Sequence, residues 1–245
     1  MVHFVGAGPG AVDLITVRGQ KYIEQADVII YAGSLVNPEL LSKTKPDCHV
    51  YDSSKLSLEE VIDLMKDVEG SEEKIVRLHT GDPSIYGAIR EQMDELDKLG
   101  IEYDYTPGVS SFCGAAAALN LEYTLPGVSQ SVLLTRMPGR TPVPDKEPTI
   151  VYFLSAGNIE GLVKELTQSG RDKDTPCAIV YKATWPDEEK YVTTLEHLAE
   201  VAAQHNITKT ALIIVGDVVA PRAYDKSKLY DATFTTGFRE GSTDE

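Results

Sequence analysis

The chain has 245 residues, 42% of them hydrophobic and 25% charged, and a formal net charge of −15. That length supports two modest domains with a buried core, and that charge argues against a partner built on a phosphate backbone. No apolar run reaches the roughly 18–20 residues of a membrane span, and no basic region followed by a long apolar stretch opens the chain, so the expectation is a soluble, cytoplasmic protein with no nucleic-acid or membrane partner.

Residues 2–5 read as a strand that runs into Gly6-Ala7-Gly8-Pro9-Gly10-Ala11. Residues 16–25 have helical spacing with Val17, Tyr22 and Ile23 as inner positions, and residues 27–31 form a second strand. Residues 56–65 make an amphipathic helix, with Ser57 as N-cap and Glu60 completing a capping box. A strand over 75–78 leads into Thr80-Gly81-Asp82-Pro83, then a helix over 86–99. A short strand over 103–105 ends at Thr106-Pro107-Gly108-Val109-Ser110-Ser111. Residues 111–119 are small and apolar, as a tightly packed helix would be.

This alternation predicts an α/β domain with a largely parallel sheet. The boundary is placed so that residues 1–113 form an N-terminal α/β domain and 114–245 a C-terminal one. Segments at 131–135, 149–154, 159–168, 178–182, 191–195, 197–203 and 211–215 make the second unit, with more hairpin-like strands. Residues 137–148 contain four prolines and read as a long loop, and the polar residues 239–245 read as a frayed end. Cys48, Cys113 and Cys177 are far apart and lack a CxxC pair, which predicts reduced thiols and no metal site.

Three strand ends carry glycine turns, which let a backbone approach a ligand closely because no Cβ intervenes. The first satisfies the dinucleotide fingerprint in letter as Gly6-x-Gly8-x-x-Ala11. That fingerprint also needs a carboxylate at the end of the second strand to hold a ribose. Here the second strand ends in Tyr31-Ala32-Gly33-Ser34, and Asp27 lies at the wrong end. A nicotinamide- or flavin-dependent oxidoreductase and a purely structural turn stay open on these residues alone. The second motif, Thr80-Gly81-Asp82-Pro83, has ordinary turn composition but continues as Ile85-Tyr86-Gly87, and no lysine follows to make it a phosphate loop. The third opens onto a helix start, where polar or negative ligand groups are favoured.

In their order and spacing these three motifs resemble those of the tetrapyrrole methyltransferases, over residues 5–218. Two further segments, Tyr31-Ala32-Gly33-Ser34-Leu35-Val36 and the 135–144 loop that begins Thr135-Arg136, resemble the branch that methylates carbon 11 of precorrin-4 or cobalt-precorrin-4. The resemblance implies the tetrapyrrole methylase fold, two α/β domains with the cofactor cleft between them, and a place in cobalamin biosynthesis. It implies S-adenosyl-L-methionine as methyl donor and S-adenosyl-L-homocysteine as product. The matching donor positions are Pro9, Thr80, Gly81, Asp82, Ile85, Ser110, Ser111, Leu154 and Ala183. Siblings carry other residues at the last two.

The implied substrate is an anionic tetrapyrrole. Tyr31, Ser34 and Tyr86 are candidates to line the ring, and Arg90, Arg136 and Arg140 to hold its carboxylates, since guanidinium forks suit them. Asp82 is expected to work through backbone or ribose contacts. His79 reads as structural and Trp185 as a surface or interface residue. No catalytic acid or base is assigned, no metal ligand is assigned, and a homodimer is expected. Alternatives are a methylase for another ring carbon or for diphthamide, the oxidoreductase above, and a tetrapyrrole carrier without a methyl donor.

Overall fold

The computed structural model describes residues 1–66, 74–137 and 149–221, together with 233, 235 and 240. By its contacts the chain divides into two units: Met1–Ala118 with Lys182–Glu189, and Leu119–Tyr181 with Lys190–Glu245.

The first unit is built on strands β1 (Val2–Gly6), β2 (Val28–Tyr31), β3 (His49–Asp52), β4 (Ile75–His79) and β5 (Tyr103–Thr106). They form one five-stranded sheet in the order β3-β2-β4-β1-β5, and every pairing is parallel. Each residue of β1 and β4 is buried, as central parallel strands covered on both faces require. Pairing is in step, Val2 with Ile75 and Gly6 with His79, so alternate residues sort onto two faces. On one face Val2, Phe4, Ile30 and Ile75 pack with Val61, Ile62 and Met65 of α2 (Leu58–Lys66) and Leu96 of α3 (Ile89–Leu99). On the other, Val5, Ile29, Val76 and Leu78 pack with Ile23 of α1 (Val17–Gln25) and with Leu40.

Several sequence expectations shift by one turn or one face. Ile23 is fully buried, but Val17 is 74% exposed. The inward position in that first turn is Gly19, where a Cβ would stand 3.0 Å from Val5 Cγ1, so helix and strand pack closely there. Tyr22 is half-buried and donates to Asp104 Oδ2 at 2.9 Å. The helix expected over 86–99 begins only at Ile89, because Tyr86 (φ 57°) and Ala88 (φ 50°) are left-handed, and an α-helix does not accept that conformation. Strand β3 was not predicted. Its His-Val-Tyr-Asp sequence has no apolar run, and its first three residues are exposed at the sheet edge. The capping box does form: Ser57 N–H donates to Glu60 Oε2 at 2.7 Å and Glu60 N–H to Ser57 Oγ at 3.3 Å.

The second unit holds β6 (Leu133–Arg136), β7 (Ile150–Phe153), β8 (Pro176–Tyr181), β9 (Glu189–Thr194) and β10 (Ala211–Val215). Their order is β6-β7-β10-β8-β9. β10 runs antiparallel to both β7 and β8, while β6 is parallel to β7. Helices α5 (Ile159–Gln168) and α6 (Leu198–Gln204) cover a core of Ile150, Tyr152, Leu162, Ile179, Leu198 and Ile213. Cys177 sits within this core, and burial pushes its thiol up to about 12, which leaves it inert. The expected loop over 137–148 lies outside the described residues from position 138 on. Among the described residues no helix is long and apolar enough to cross a membrane.

Removing the cap hydroxyl with Ser57→Ala is expected to lower the unfolding free energy by about 1 kcal/mol, read as a shift of the urea midpoint with an unchanged slope.

Candidate active site

The three glycine turns leave the carboxyl ends of β4, β1 and β5, which are adjacent strands. Carboxyl ends of parallel strands are where open α/β sheets take their ligands. The turns meet through main chain. Gly8 N–H donates to the Gly81 carbonyl at 3.3 Å and Gly81 N–H returns to Gly8 at 2.8 Å, forming an isolated antiparallel bridge. A Cβ on Gly6 would lie 2.6 Å from Gly108 Cα and 2.7 Å from the Gly81 oxygen, and one on Gly108 would lie 2.2 Å from that same oxygen. Gly8 (φ 80°) and Gly81 (φ 59°) also need the left-handed conformation. Strand-end residues with side chains therefore do not fit here.

Asp82 braces the second turn to the third. Its carboxylate accepts from Gly108 N–H at 2.9 Å, from the Tyr105 hydroxyl at 2.5 Å, and from both the N–H (2.9 Å) and hydroxyl of Ser84. Partial burial works to raise its pKa, but the hydrogen bonds from Ser84, Tyr105 and Gly108 outweigh it and hold the carboxyl below its ordinary value. Ser111 opens α4 (Ser111–Leu119), and its backbone nitrogen would be 3.2 Å from a Cβ on Gly81. Buried Ser110 precedes it and accepts from Cys113 N–H through its carbonyl at 3.0 Å. The start of α4, with its favourable end for negative charge, thus stands against the second turn.

Under the turns, the face shared with Phe4 carries two buried basic side chains. Arg77 donates through Nε to Gln92 Oε1 at 2.9 Å and through Nη1 to the Ile30 carbonyl at 3.1 Å. Gln92 in turn donates to the carbonyl of left-handed Ala88 at 2.9 Å. Burial brings the Arg77 guanidinium down to about 10, still charged at neutral pH. His79 is pushed down to about 3, first by burial and then by the charge of Arg77, so it is neutral. His79 Nε2 and Thr106 Oγ1 are buried without a hydrogen-bond partner, one at the end of β4 and the other at the end of β5.

The sequence-predicted residues fall into distinct groups. Pro9, Gly81, Asp82, Ser110 and Ser111 belong to the interlocked turns, with Thr80 and Ile85 half-buried beside Asp82 in the chain. Tyr86 is 42% exposed. Tyr31 ends β2, and its carbonyl accepts from Ser53 Oγ at 2.9 Å. The Ser34 backbone lies in a short helical turn, Gly33–Leu35. Arg90 is the second residue of α3 and is ion-paired with Asp94 and Asp97 on its own helix. Arg136 is an exposed residue at the end of β6. Arg140 lies outside the described residues. Leu154 follows β7 in a left-handed conformation (φ 51°) and is 60% exposed, a strained and wet position for a large apolar side chain. Ala183 is buried and packs with the first unit.

Sequence reading missed Gly6 and Gly108 as contact points, and Tyr105 as the partner of Asp82. It also missed Asn37, whose buried Nδ2 donates to the Gly10 carbonyl at 2.9 Å. The dinucleotide alternative loses its main support. The first turn runs into a short helical turn at Val12–Leu14 and extended residues, and α1 starts only at Val17. A pyrophosphate would find no helix start there.

Residues 1–199 match the family model described as Tetrapyrrole (Corrin/Porphyrin) Methylases. The chain is a tetrapyrrole methylase. It is 51% identical over 248 residues to a cobalt-precorrin-4 C(11)-methyltransferase of Methanocaldococcus jannaschii, covering 98% of this chain and 96% of that protein. Among solved structures, a cobalt precorrin-4 methyltransferase superposes with a TM-score of 0.83 at 43% identity, covering 90% of this methylase and 96% of the other. The uroporphyrin-III C-methyltransferase of Thermus thermophilus, solved with S-adenosyl homocysteine, gives a TM-score of 0.77 at 28% identity, covering 92% and 96%. The mixed α/β fold with two sheets is therefore that of the methylase family.

Gly108→Ala is expected to cost roughly 1–3 kcal/mol of stability or more, as overpacking does, because the new Cβ meets backbone, which has no rotamer to yield. Asp82 titrates lower folded than unfolded, so the stability it contributes is present above about pH 4 and is lost as pH falls through the folded value. The melting temperature of Asp82→Asn is accordingly expected to fall less steeply than that of the wild type on acidification from about pH 5 to 2.

Proposed function

We propose that this methylase transfers a methyl group from S-adenosyl-L-methionine to carbon 11 of precorrin-4 or its cobalt-bearing counterpart, in cobalamin biosynthesis. What carries the reading is the 51% identity to a cobalt-precorrin-4 C(11)-methyltransferase over almost the whole of both chains. The site suits a donor held through main chain, since the glycine turns are packed backbone to backbone at the strand ends and the adjoining strand ends carry buried polar atoms without partners.

S-adenosyl-L-methionine supplies a methyl group already activated on a sulfonium. What is left to the chain is alignment, and in favourable cases orientation alone lowers a barrier by about 7–11 kcal/mol. Turns locked to one another by main chain are suited to it, because no rotamer has to be frozen when the ligand arrives. The residues assigned to the donor are Pro9, Thr80, Gly81, Asp82, Ile85, Ser110, Ser111, Leu154 and Ala183. Asp82 serves as an internal strut. Its carboxylate is taken up by Ser84, Tyr105 and Gly108, and a carboxylate set against a sulfonium would favour the ground state, whose charge disappears on transfer.

An anionic ring needs local cations on a chain of net charge −15. Arg136 and Arg140 are assigned to its carboxylates. Arg90 is the weakest of the three assignments, since two carboxylates of α3 already engage it. Tyr31, Ser34 and Tyr86 are assigned to the ring itself.

The test is incubation with carbon-labelled methyl donor and precorrin-4, or cobalt-precorrin-4, from reconstituted preceding steps, with the label located by NMR. Label at carbon 11 is expected. Label at another ring carbon overturns the assigned position, and no transfer with no binding of S-adenosyl-L-homocysteine overturns the reaction class.

A further inference from the structure

The chain has one tryptophan, and it sits in Lys182–Glu189, the segment that follows β8 and packs with the first unit. Trp185 Nε1 donates to the Pro9 carbonyl at 3.1 Å. One residue earlier, Thr184 Oγ1 accepts from Ala11 N–H at 2.9 Å. The indole also fills the space a side chain at position 10 would need: a Cβ on Gly10 would lie 2.0 Å from Trp185 Cδ1 and 2.3 Å from its Nε1. On the far side of the turn, a Cβ on Gly114 would come within 2.9 Å of Pro9 Cβ and 3.1 Å of Thr184 Cγ2, so α4 is packed flat against both. The first glycine turn is thereby gripped by a segment more than 170 residues away in sequence.

The segment is itself held in an unfavourable shape. Lys182 (φ 45°) and Thr184 (φ 69°) are both left-handed, and the second is β-branched, a conformation that persists only where the surroundings over-determine it. Glu188 supplies that constraint. Its carboxylate accepts from Thr184 N–H at 2.6 Å, while its own N–H donates to the Trp185 carbonyl at 3.0 Å. Lys182 pairs with Asp187 and places its Nζ 5.4 Å from the centre of the indole.

The hydrogen bonds of the turn divide the work. Ala7 N–H goes to the His79 carbonyl, Gly8 exchanges bonds with Gly81, and the Gly10 carbonyl accepts from Asn37, all within Met1–Ala118. The Pro9 carbonyl and the Ala11 N–H are held by Trp185 and Thr184. Polar groups used this way are not offered to a ligand. They fix where the Pro9 ring stands.

We propose that Thr184 and Trp185 are positioning residues of the methylase. They hold the Pro9–Ala11 stretch in the shape that receives the methyl donor, without touching the donor themselves. This inference rests on the functional reading above, which places the donor against Pro9.

The experiment compares wild type with Thr184→Val, Thr184→Ser and Trp185→Phe. S-adenosyl-L-homocysteine affinity is measured by calorimetry, kcat and the KM for S-adenosyl-L-methionine by methyl transfer, and folding by thermal melts. Val keeps the β-branch but loses the acceptor, Ser restores it, and Phe keeps a ring over Gly10 but loses the N–H. Thr184→Val and Trp185→Phe are each expected to weaken S-adenosyl-L-homocysteine binding and raise the KM by about five- to tenfold, the worth of one buried hydrogen bond, with kcat much less affected. Thr184→Ser is expected to restore wild-type values. A purely structural role would lower the amount of active protein and leave the KM unchanged. If Trp185→Phe does not fold, the Val and Ser pair at 184 decides alone. Folded variants that bind as tightly as wild type overturn the positioning role only. Wild-type protein that does not bind S-adenosyl-L-homocysteine overturns the functional reading, and this inference with it.

Discussion

Everything in the first unit is arranged around one exclusion: where the ends of β1, β4 and β5 converge, main chain touches main chain and no side chain can enter. A Cβ on Gly6 or on Gly108 would stand 2.2–2.8 Å from the main chain of the other and of Gly81. The parallel sheet brings the three turns side by side, and Asp82 prevents the second and third from drifting apart. A surface made of backbone is stiff because it has no χ angles to lose. That stiffness is the property a transfer reaction governed by alignment requires.

Such a surface needs support from behind. The interior of the sheet supplies it with apolar packing on both faces and with the buried guanidinium of Arg77. Arg77 is satisfied by an amide and a main-chain carbonyl, and its charge adds to the burial that keeps His79 neutral at the end of β4. Through Gln92 the same guanidinium reaches Ala88, where the chain leaves the left-handed stretch and enters α3. Packing, charge and turn geometry are thus linked in one short chain of contacts.

Much of this was legible in the sequence because the glycine and proline spacing records a backbone requirement directly. Pro9, Gly81, Asp82, Ser110 and Ser111 were read from the motifs and lie together in the turns. The alternation of strands and helices was legible for the same elementary reason, the periodicity of burial. What stayed hidden depends on contacts between distant segments. Edge strand β3 carries no apolar alternation to betray it. Left-handed Tyr86 and Ala88 have ordinary helix-compatible identities, so the start of α3 was read three residues early. Val17 matches the helical spacing of an inner residue, yet the close approach at Gly19 turns that face and leaves Val17 in water. Trp185, among polar neighbours, reads in sequence as a surface or interface residue, and only the contact with Gly10 shows the space it fills.

The segment Lys182–Glu189 makes the first unit discontinuous along the chain. The polypeptide changes unit three times, after Ala118, after Tyr181 and after Glu189. A gene cut once near Leu119 would encode an amino-terminal fragment whose glycine turn lacks the two residues that clasp it, and a carboxy-terminal fragment carrying a clasp with nothing to hold. A single cut there leaves neither piece with the whole of the first unit.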